Sequence, residues 1–412
     1  MVSPFILKPL RPSRTRLVPR LGRAIQAKIK PGAYEQLALQ CVDNPFQPHF
    51  LQRAIPLTRS GRDDEEMADG GFDLPSSDNT PGAPALLRQV NQRYRQQRWP
   101  QPFNTTRHRL HLGDARDLSW IEDESIHLVV TSPPYWTLKK YPASDSQLGQ
   151  IADYEAFLDE LDKVWRECTR VLAGGGRICC VVGDVCIPRR KTGRHQIMPL
   201  HADIQVRARS LGLDCLTPIM WHKIANGATE AEGNGGGFYG KPYQPGAVVK
   251  NDIEYILFLR KGGAYRSVTP LQKALSMLTK EEMQAWFRSF WTDIKGASTR
   301  LGHPAPFPDE LAARLIRMFS FAGDTVLDPF MGTGSTGVAA VRTGRNFIGA
   351  DIEATYLKLA HARIDSAARE KRFVGAGLQR WRLTEVEVAA APTASEPFRL
   401  LDAFRKTFDG VV

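Results

Sequence analysis

The sequence predicts an α/β fold: a parallel or mixed sheet covered by helices on both faces. Three observations carry that expectation. Short, nearly unbroken apolar runs alternate with segments whose apolar residues recur every three or four positions, over roughly 270 residues. Two of the apolar runs end directly in loops of unusual composition, one rich in proline and one in glycine. The composition is that of a chain with an ordinary core, 42% hydrophobic and 24% charged over 412 residues, enough for two or three domains.

The elements follow in chain order. Residues 1–60 hold ten Lys and Arg against Glu35 and Asp43, which is +8 of the net +11. Residues 63–73 are acidic, and a Pro/Ser/Gly stretch follows to Pro84. We expect a basic arm and linker, partly disordered, over 1–100. Its prolines break any long amphipathic helix, which argues against an organelle presequence. His127–Val130 is a buried strand. Tyr154, Phe157, Leu158, Leu161, Val164, Trp165, Cys168 and Val171 make one face of a helix, which Gly174–Gly176 is expected to stop. Strands follow at 177–182, 214–221 and 253–259, with a helix near 198–211. The series closes with a helix through Leu311–Phe319, a strand at 325–328, a helix at 336–343, a strand at 346–350 and a helix at 355–371. A tail is expected from 376 to 412.

Some classes are disfavoured. No run approaches the ~20 apolar residues of a membrane helix. Lys8 and Arg11 interrupt the only apolar start, so no secretory leader is expected. The six cysteines have neither C-x-x-C nor metal-ligand spacing, so neither a disulfide scaffold nor a zinc module is expected. The basic excess favours a polyanionic partner.

Two loops carry chemistry. In Asp328-Pro-Phe-Met-Gly-Thr-Gly-Ser-Thr336 a strand passes into a helix whose free N–H groups, with Gly332 and Gly334, suit a closely held ligand. Asp351 ends the next strand, where a carboxylate can accept from ribose hydroxyls. Together these describe an adenosine-bearing cofactor. Gly332-Thr-Gly334-Ser-Thr-Gly337 also fits the letters of the dinucleotide fingerprint, so the glycines alone leave NAD open. In Thr131-Ser-Pro-Pro-Tyr-Trp136 two prolines remove two N–H donors and leave carbonyl acceptors, the Ser132 hydroxyl and two aromatics. That set suits a planar ring carrying an amino group. A proline turn with its aromatics packed in the core is the plainer reading. Both loops leave strand carboxyl ends, the ligand-binding edge of open α/β sheets.

The order of these motifs resembles the amino-group DNA methyltransferases that use S-adenosylmethionine (AdoMet), in their beta permutation group with a serine-type catalytic motif. Gly113-Asp114, His303–Leu311 and Gly349-Ala-Asp-Ile-Glu353 with Tyr356, Ala360 and Arg363 extend the likeness over about 108–370. The resemblance implies a Rossmann-like AdoMet-dependent sheet, mostly parallel with one antiparallel strand, with a small target-recognition insertion and an N-terminal extension. Within a core at 101–375 it implies a catalytic half at 108–260, a recognition region at about 222–300 and a cofactor half at 303–371. It assigns Ser132, Pro133, Pro134 and Tyr135 to catalysis. It gives Asp114 to the cofactor adenine, Asp351 to the ribose and Asp328 to the methionine end, with Phe330, Gly332, Gly334 and Ser335 completing the cofactor site. It implies no metal.

Ser132 resembles the cytosine-N4 members, since adenine-N6 members more often carry Asp or Asn there. Cytosine-C5 chemistry is disfavoured because none of the six cysteines follows a proline. The expected partner is double-stranded DNA, with a cognate restriction endonuclease acting separately, in a bacterial or phage-encoded cytoplasmic setting. An adenine-N6 enzyme on the same scaffold is the alternative, and a non-catalytic DNA-binding protein is a remote one. Lys139, Lys140, Arg189, Arg190, Lys191 and Arg194 flank the expected cleft, as candidate phosphate contacts or as a solvated basic face. A glycine-rich segment at 226–246 and the aromatics Trp286, Phe287, Phe290 and Trp291 fall where the resemblance implies sequence recognition, and packing in the core is the plainer reading of the aromatics.

Overall fold

The computed structural model describes residues 74–95, 99–138, 146–223, 249, 251–297 and 307–369, and the backbone of 382–390. The arm 1–60, Lys139, Lys140, the segment 226–246 and His303 lie outside the described residues.

Among the described residues nine strands form the main sheet: β1 (Thr105–Leu112), β2 (Ile126–Thr131), β3 (Leu172–Val182), β6 (Leu213–His222), β7 (Ile253–Lys261), β8 (Phe290–Trp291), β9 (Thr325–Asp328), β10 (Asn346–Asp351) and β11 (Arg382–Ala390). A separate hairpin pairs β4 (Val185–Ile187) with β5 (Gln196–Met198). The sheet order is β11-β1-β10-β9-β2-β3-β7-β6-β8. From β11 to β3 every pairing is parallel. Strand β7 runs against both its neighbours, β3 and β6, while β8 is parallel to β6. This is the mostly parallel sheet with one antiparallel strand that the resemblance implied.

The apolar runs are unbroken because both sides of each strand are covered. Leu128 and Val130 of β2, Cys179 and Val181 of β3, and Ile256 and Phe258 of β7 enter one core. That core contains α6 (Asp309–Phe319), α7 (Ser335–Thr343) and α8 (Ala354–Arg369). The alternate residues Val129, Ile178, Cys180, Val182, Leu257 and Leu259 enter the other. There they meet α2 (Tyr154–Val171) and α3 (Leu200–Ser210). Helix α2 begins where Asp153 accepts a hydrogen bond from the Ala156 N–H at 2.8 Å, which satisfies a free donor of the first turn. Its Phe157, Leu161, Val164, Trp165 and Cys168 are all fully buried, each apolar side chain contributing roughly 1.5–3 kcal/mol.

Four features differ from the sequence expectation. Gly174–Gly176 do not cap α2. Leu172 passes directly into β3, and the glycines lie where pairing jumps from Ile126↔Leu172 to Leu128↔Arg177. The N-terminal region expected as arm and linker contains α1 (Ala83–Tyr94). It packs through Leu87 and Val90 on α4 (Pro270–Leu275), and Asn91 Nδ2 donates to the Ala274 carbonyl at 2.7 Å. The expected tail supplies β11, which extends the sheet beside β1. Part of the region expected at about 222–300 as an insertion joins the sheet: α4 and α5 (Lys280–Trp286) lead into β8, which pairs with β6. Its Trp291 is buried, whereas Phe287 and Phe290 are about half exposed, at 55% and 47%.

The topology positions the site. After β9 the chain crosses one face through α7 to β10; after β2 it crosses the other face through α2 to β3. The adjacent strands β9 and β2 therefore send their connections apart, and a crevice opens at their carboxyl ends.

Candidate active site

That crevice is an open cleft lined by residues of both loops. Ser132, Pro133, Pro134 and Tyr135 form one wall. Asp114, Phe330 and Asp351 line it from the strand ends opposite. The sequence left Gln147, Leu148 and Ile352 unassigned, yet they also line it. Nothing in the local pattern of Gln147 and Leu148 marks them, because they arrive through the folding of the chain after the proline loop, whereas Ile352 directly follows Asp351.

The remaining predicted residues do not line the cleft. Asp328 is buried beneath it at 1% exposure. Its Oδ1 accepts from the Thr131 hydroxyl at 2.7 Å and the Phe330 N–H at 3.1 Å, and its Oδ2 from the Thr336 hydroxyl at 2.7 Å. The carboxylate thus latches the proline loop to the glycine loop. Burial pushes its pKa up to about 6, against the opposing pull of those donors. The Gly332 N–H donates to Asp351 Oδ2 at 2.8 Å. Ser335 is 6% exposed and lies 3.5 Å from an Arg363 guanidinium nitrogen.

Gly334 has φ +81°, and a Cβ there would sit 2.9 Å from Ala360 Cβ and 3.0 Å from its Cα. It caps α7 and brings that helix against α8. Gly334→Ala should therefore lose about 2–4 kcal/mol through left-handed strain and overpacking. Urea denaturation will measure this, and an unchanged midpoint would refute the packing argument.

Asp351 ends β10 in the cleft wall. Its two oxygens accept from the Gly332 and Glu353 N–H groups, each at 2.8 Å. Burial raises its pKa to about 6, against the opposing pull of those two donors. A carboxylate has roughly four acceptor positions, which leaves two for further donors. A vicinal pair of ribose hydroxyls supplies two. Phe330 and Ile352 add apolar surface for a planar base. The residues present therefore fit an adenosine cofactor. Asp114 sits differently: Arg116 Nε lies 3.0 Å from both its oxygens and Nη2 2.6 Å from one, and Glu160 holds the same guanidinium.

The proline loop is held in a defined shape. Trp136 has φ +45°, a conformation costing a non-glycine residue about 1–3 kcal/mol. Its indole N–H donates to the Ile151 carbonyl at 2.8 Å and its ring meets Tyr154 edge-on. The Ser132 hydroxyl donates to the Tyr135 hydroxyl at 3.2 Å, which donates in turn to the Val181 carbonyl at 3.4 Å. The single Ser132 proton is thereby directed inward, and towards the cleft its oxygen is an acceptor. Tyr135 itself is 5% exposed.

Burial raises the thiol pKa values of Cys168, Cys179 and Cys180, which disfavours thiolate chemistry at those positions. Among the described residues no group of His, Cys, Asp or Glu could hold a metal ion, and no helix is long and apolar enough to cross a membrane.

Comparisons with known proteins agree with this geometry. The N6/N4 methyltransferase family model, described as DNA methylase, matches residues 126–362. The chain is 36% identical over 286 residues to the type II methyltransferase M.MthZI of Methanothermobacter thermautotrophicus, covering 64% of this chain and 78% of that protein. It is 28% identical over 294 residues to the DNA adenine methyltransferase YhdJ of Escherichia coli K12, covering 67% and 92%. A structure described as a DNA modification methylase from Thermus thermophilus, complexed with S-adenosyl-L-methionine, superposes with a TM-score of 0.56 at 48% identity, covering 69% of this chain and 99% of that one. With both loops meeting at one cleft and the family model spanning more than half its length, the chain belongs to the N6/N4 DNA methyltransferase family, whose methyl donor is AdoMet.

Proposed function

We propose that this enzyme methylates the exocyclic N4 amine of a cytosine flipped out of duplex DNA, as the modification partner of a restriction endonuclease. The observation that carries this reading is the Ser132 hydroxyl in the cleft wall, its proton directed to Tyr135 and its oxygen left to accept. The similarity to a type II methyltransferase supports the modification role. The domain limits implied by the resemblance, a core at 101–375 with its recognition region at 222–300, are part of the proposal.

AdoMet, when bound, supplies a methyl group on a positively charged sulfur. Asp351 would hold its ribose, with Phe330 and Asp114 towards the adenine. Asp328 serves from below, by keeping the two loops in register. An exocyclic amine is a weak nucleophile because its lone pair is conjugated with the ring. The Ser132 oxygen and the Pro133 carbonyl would accept hydrogen bonds from its N–H groups and so favour localisation of that pair on nitrogen. Tyr135 provides the aromatic face against the base. The base has to leave the stack to reach the loop, at a cost of a few kcal/mol. Positioning is the enzyme's main contribution.

Adenine-N6 methylation is the second reading, and the similarity to an adenine methyltransferase favours it. Nucleoside mass spectrometry separates the two. The purified chain is incubated with AdoMet and unmethylated genomic DNA, which is then digested. N4-methylcytosine is expected; N6-methyladenine would overturn the substrate while keeping cofactor and mechanism.

A further inference from the structure

The opposite edge of the sheet holds a second cavity, of about 330 Å³, far above the ~10–15 Å³ that admits one water. It lies at the amino ends of β2, β3 and β9, marked by His127, Gly174–Gly176 and Asp324, and α6 ends beside it at Phe319. Strand β2 has six residues, so roughly 20 Å separates this edge from the proline loop. A duplex that delivers a base to the active-site cleft approaches the other edge.

The glycine run shapes this cavity. Gly175 has φ +72°, and a Cβ there would lie 2.8 Å from Tyr265 Cδ1 and 3.2 Å from both Cγ and Cε1. The Tyr265 ring is thereby laid against the strand backbone. It is still 62% exposed, so an aromatic surface remains available at the cavity. Glycines that do not cap a helix thus make room for a ring.

Most arginines at this corner are matched by acids. Arg260, cross-strand from Arg177, has Nη2 2.7 Å from Asp214 Oδ2. Arg266 pairs with Asp324, and Arg317 donates to both oxygens of Glu282 at 2.6 and 2.7 Å. Asp324 also accepts the Phe321 N–H at 2.7 Å and is buried, so its charge is covered. Arg177 differs. Among the described residues it meets no carboxylate: its Nη2 is 3.5 Å from the Tyr265 hydroxyl, and its guanidinium lies 4.9 Å from the Phe319 ring centroid. Its Nε is buried without a hydrogen-bond partner, so the protein itself satisfies little of this group. A guanidinium with donors to spare and no counter-charge is matched by an anion, and phosphate suits its forked geometry. His127 adds a neutral donor to the lining. Its Nδ1 accepts the Thr325 N–H at 3.0 Å, which places the proton of the neutral ring on Nε2, and burial lowers its pKa.

We propose that this cavity is a second ligand site that takes a free nucleotide, its phosphate on Arg177 and its base against the Tyr265 ring. The two side chains lie next to one another, so the phosphate and the base of one nucleotide can reach both. The site is separate from the methyl-transfer cleft, and the inference does not depend on which base the enzyme methylates.

The test is calorimetric titration of the full chain with each of the common ribonucleoside 5′-monophosphates, with AdoMet present at saturation so that the active-site cleft is filled. At least one monophosphate is expected to bind, at one site per chain. R177A should weaken it about 10–100-fold, the scale of hydrogen bonds to a charged group. R177K, which keeps the charge without the fork, should lose less. Y265A should weaken the nucleotide about tenfold, as for a lost stacking surface, and leave the affinity for inorganic phosphate unchanged. AdoMet affinity equal to wild type reports that each variant is folded. Binding of none of the monophosphates would overturn the site, and so would full affinity in R177A. Inorganic phosphate binding as tightly as the nucleotide would overturn the role of the base. Displacement of the nucleotide by a DNA duplex would assign the cavity to the substrate's backbone instead.

Discussion

Ser132→Ala is expected to slow methyl transfer about 10²–10⁴-fold at saturating AdoMet and DNA, the usual scale for removing a group that handles a proton in the transition state. The hydroxyl lies in the cleft wall with its proton given to Tyr135. Alanine removes the acceptor while leaving both prolines, and with them the loop, unchanged. AdoMet affinity should stay within about threefold, because the bonds that latch this loop to the cofactor loop run through Thr131 and Asp328 instead. Single-turnover transfer of a labelled methyl group separates chemistry from binding. Wild-type turnover by this variant would remove Ser132 from the mechanism.

The second large effect is on cofactor binding. Asp351→Ala should weaken AdoMet about 10–100-fold, as expected for loss of hydrogen bonds to a charged acceptor. Asp351→Asn keeps the shape and one acceptor and isolates the charge. The pH dependence has a definite sign. Burial raises the Asp351 pKa to about 6 in the free protein, so below that pH the carboxyl holds a proton. Ribose hydroxyls donate to the ionised form and favour it, so binding there expels the proton. AdoMet affinity should accordingly be flat above about pH 7 and fall as pH drops through 6, by at most about tenfold per unit.

The same linkage applied to folding gives the opposite direction. A folded pKa above the unfolded 3.8 contributes stability below about pH 4, and that contribution is lost as pH rises through 6. Asp328 shares that behaviour but does not line the cleft, so it should leave the binding profile unchanged. Calorimetric titrations of wild type and Asp351→Asn at several pH values check this. A pH dependence that survives in Asp351→Asn would assign it to another group.

Much of the fold was legible in the sequence for a simple reason. A strand covered on both faces must be apolar at every position, as Leu128–Val130 and Ile256–Leu259 are, and a helix on the sheet must repeat every three or four residues, as Tyr154–Val171 does. Those patterns are local. Helix α1 was not legible, because a short helix is stabilised mainly by what it packs on, and α4 lies about 180 residues away. Strand β11 has the alternation Glu385-Val-Glu-Val388, but that alternation cannot say that β1 leaves an edge for it.

The sequence by itself determined which chemistry is present: an acceptor-rich proline loop, a glycine loop, and acids after the strands. It placed Ser132, Tyr135, Phe330 and Asp351 at or just beyond strand carboxyl ends, and there they line one cleft. Only the tertiary structure decided where each acid sits. Asp328 and Asp351 both end strands, yet one is roofed over by Thr131 and Thr336 and the other faces the cleft. That division arises from hydrogen bonds such as Thr131 to Asp328, which join residues 197 apart in the chain. No local pattern encodes them, since they exist only once β2 and β9 lie side by side.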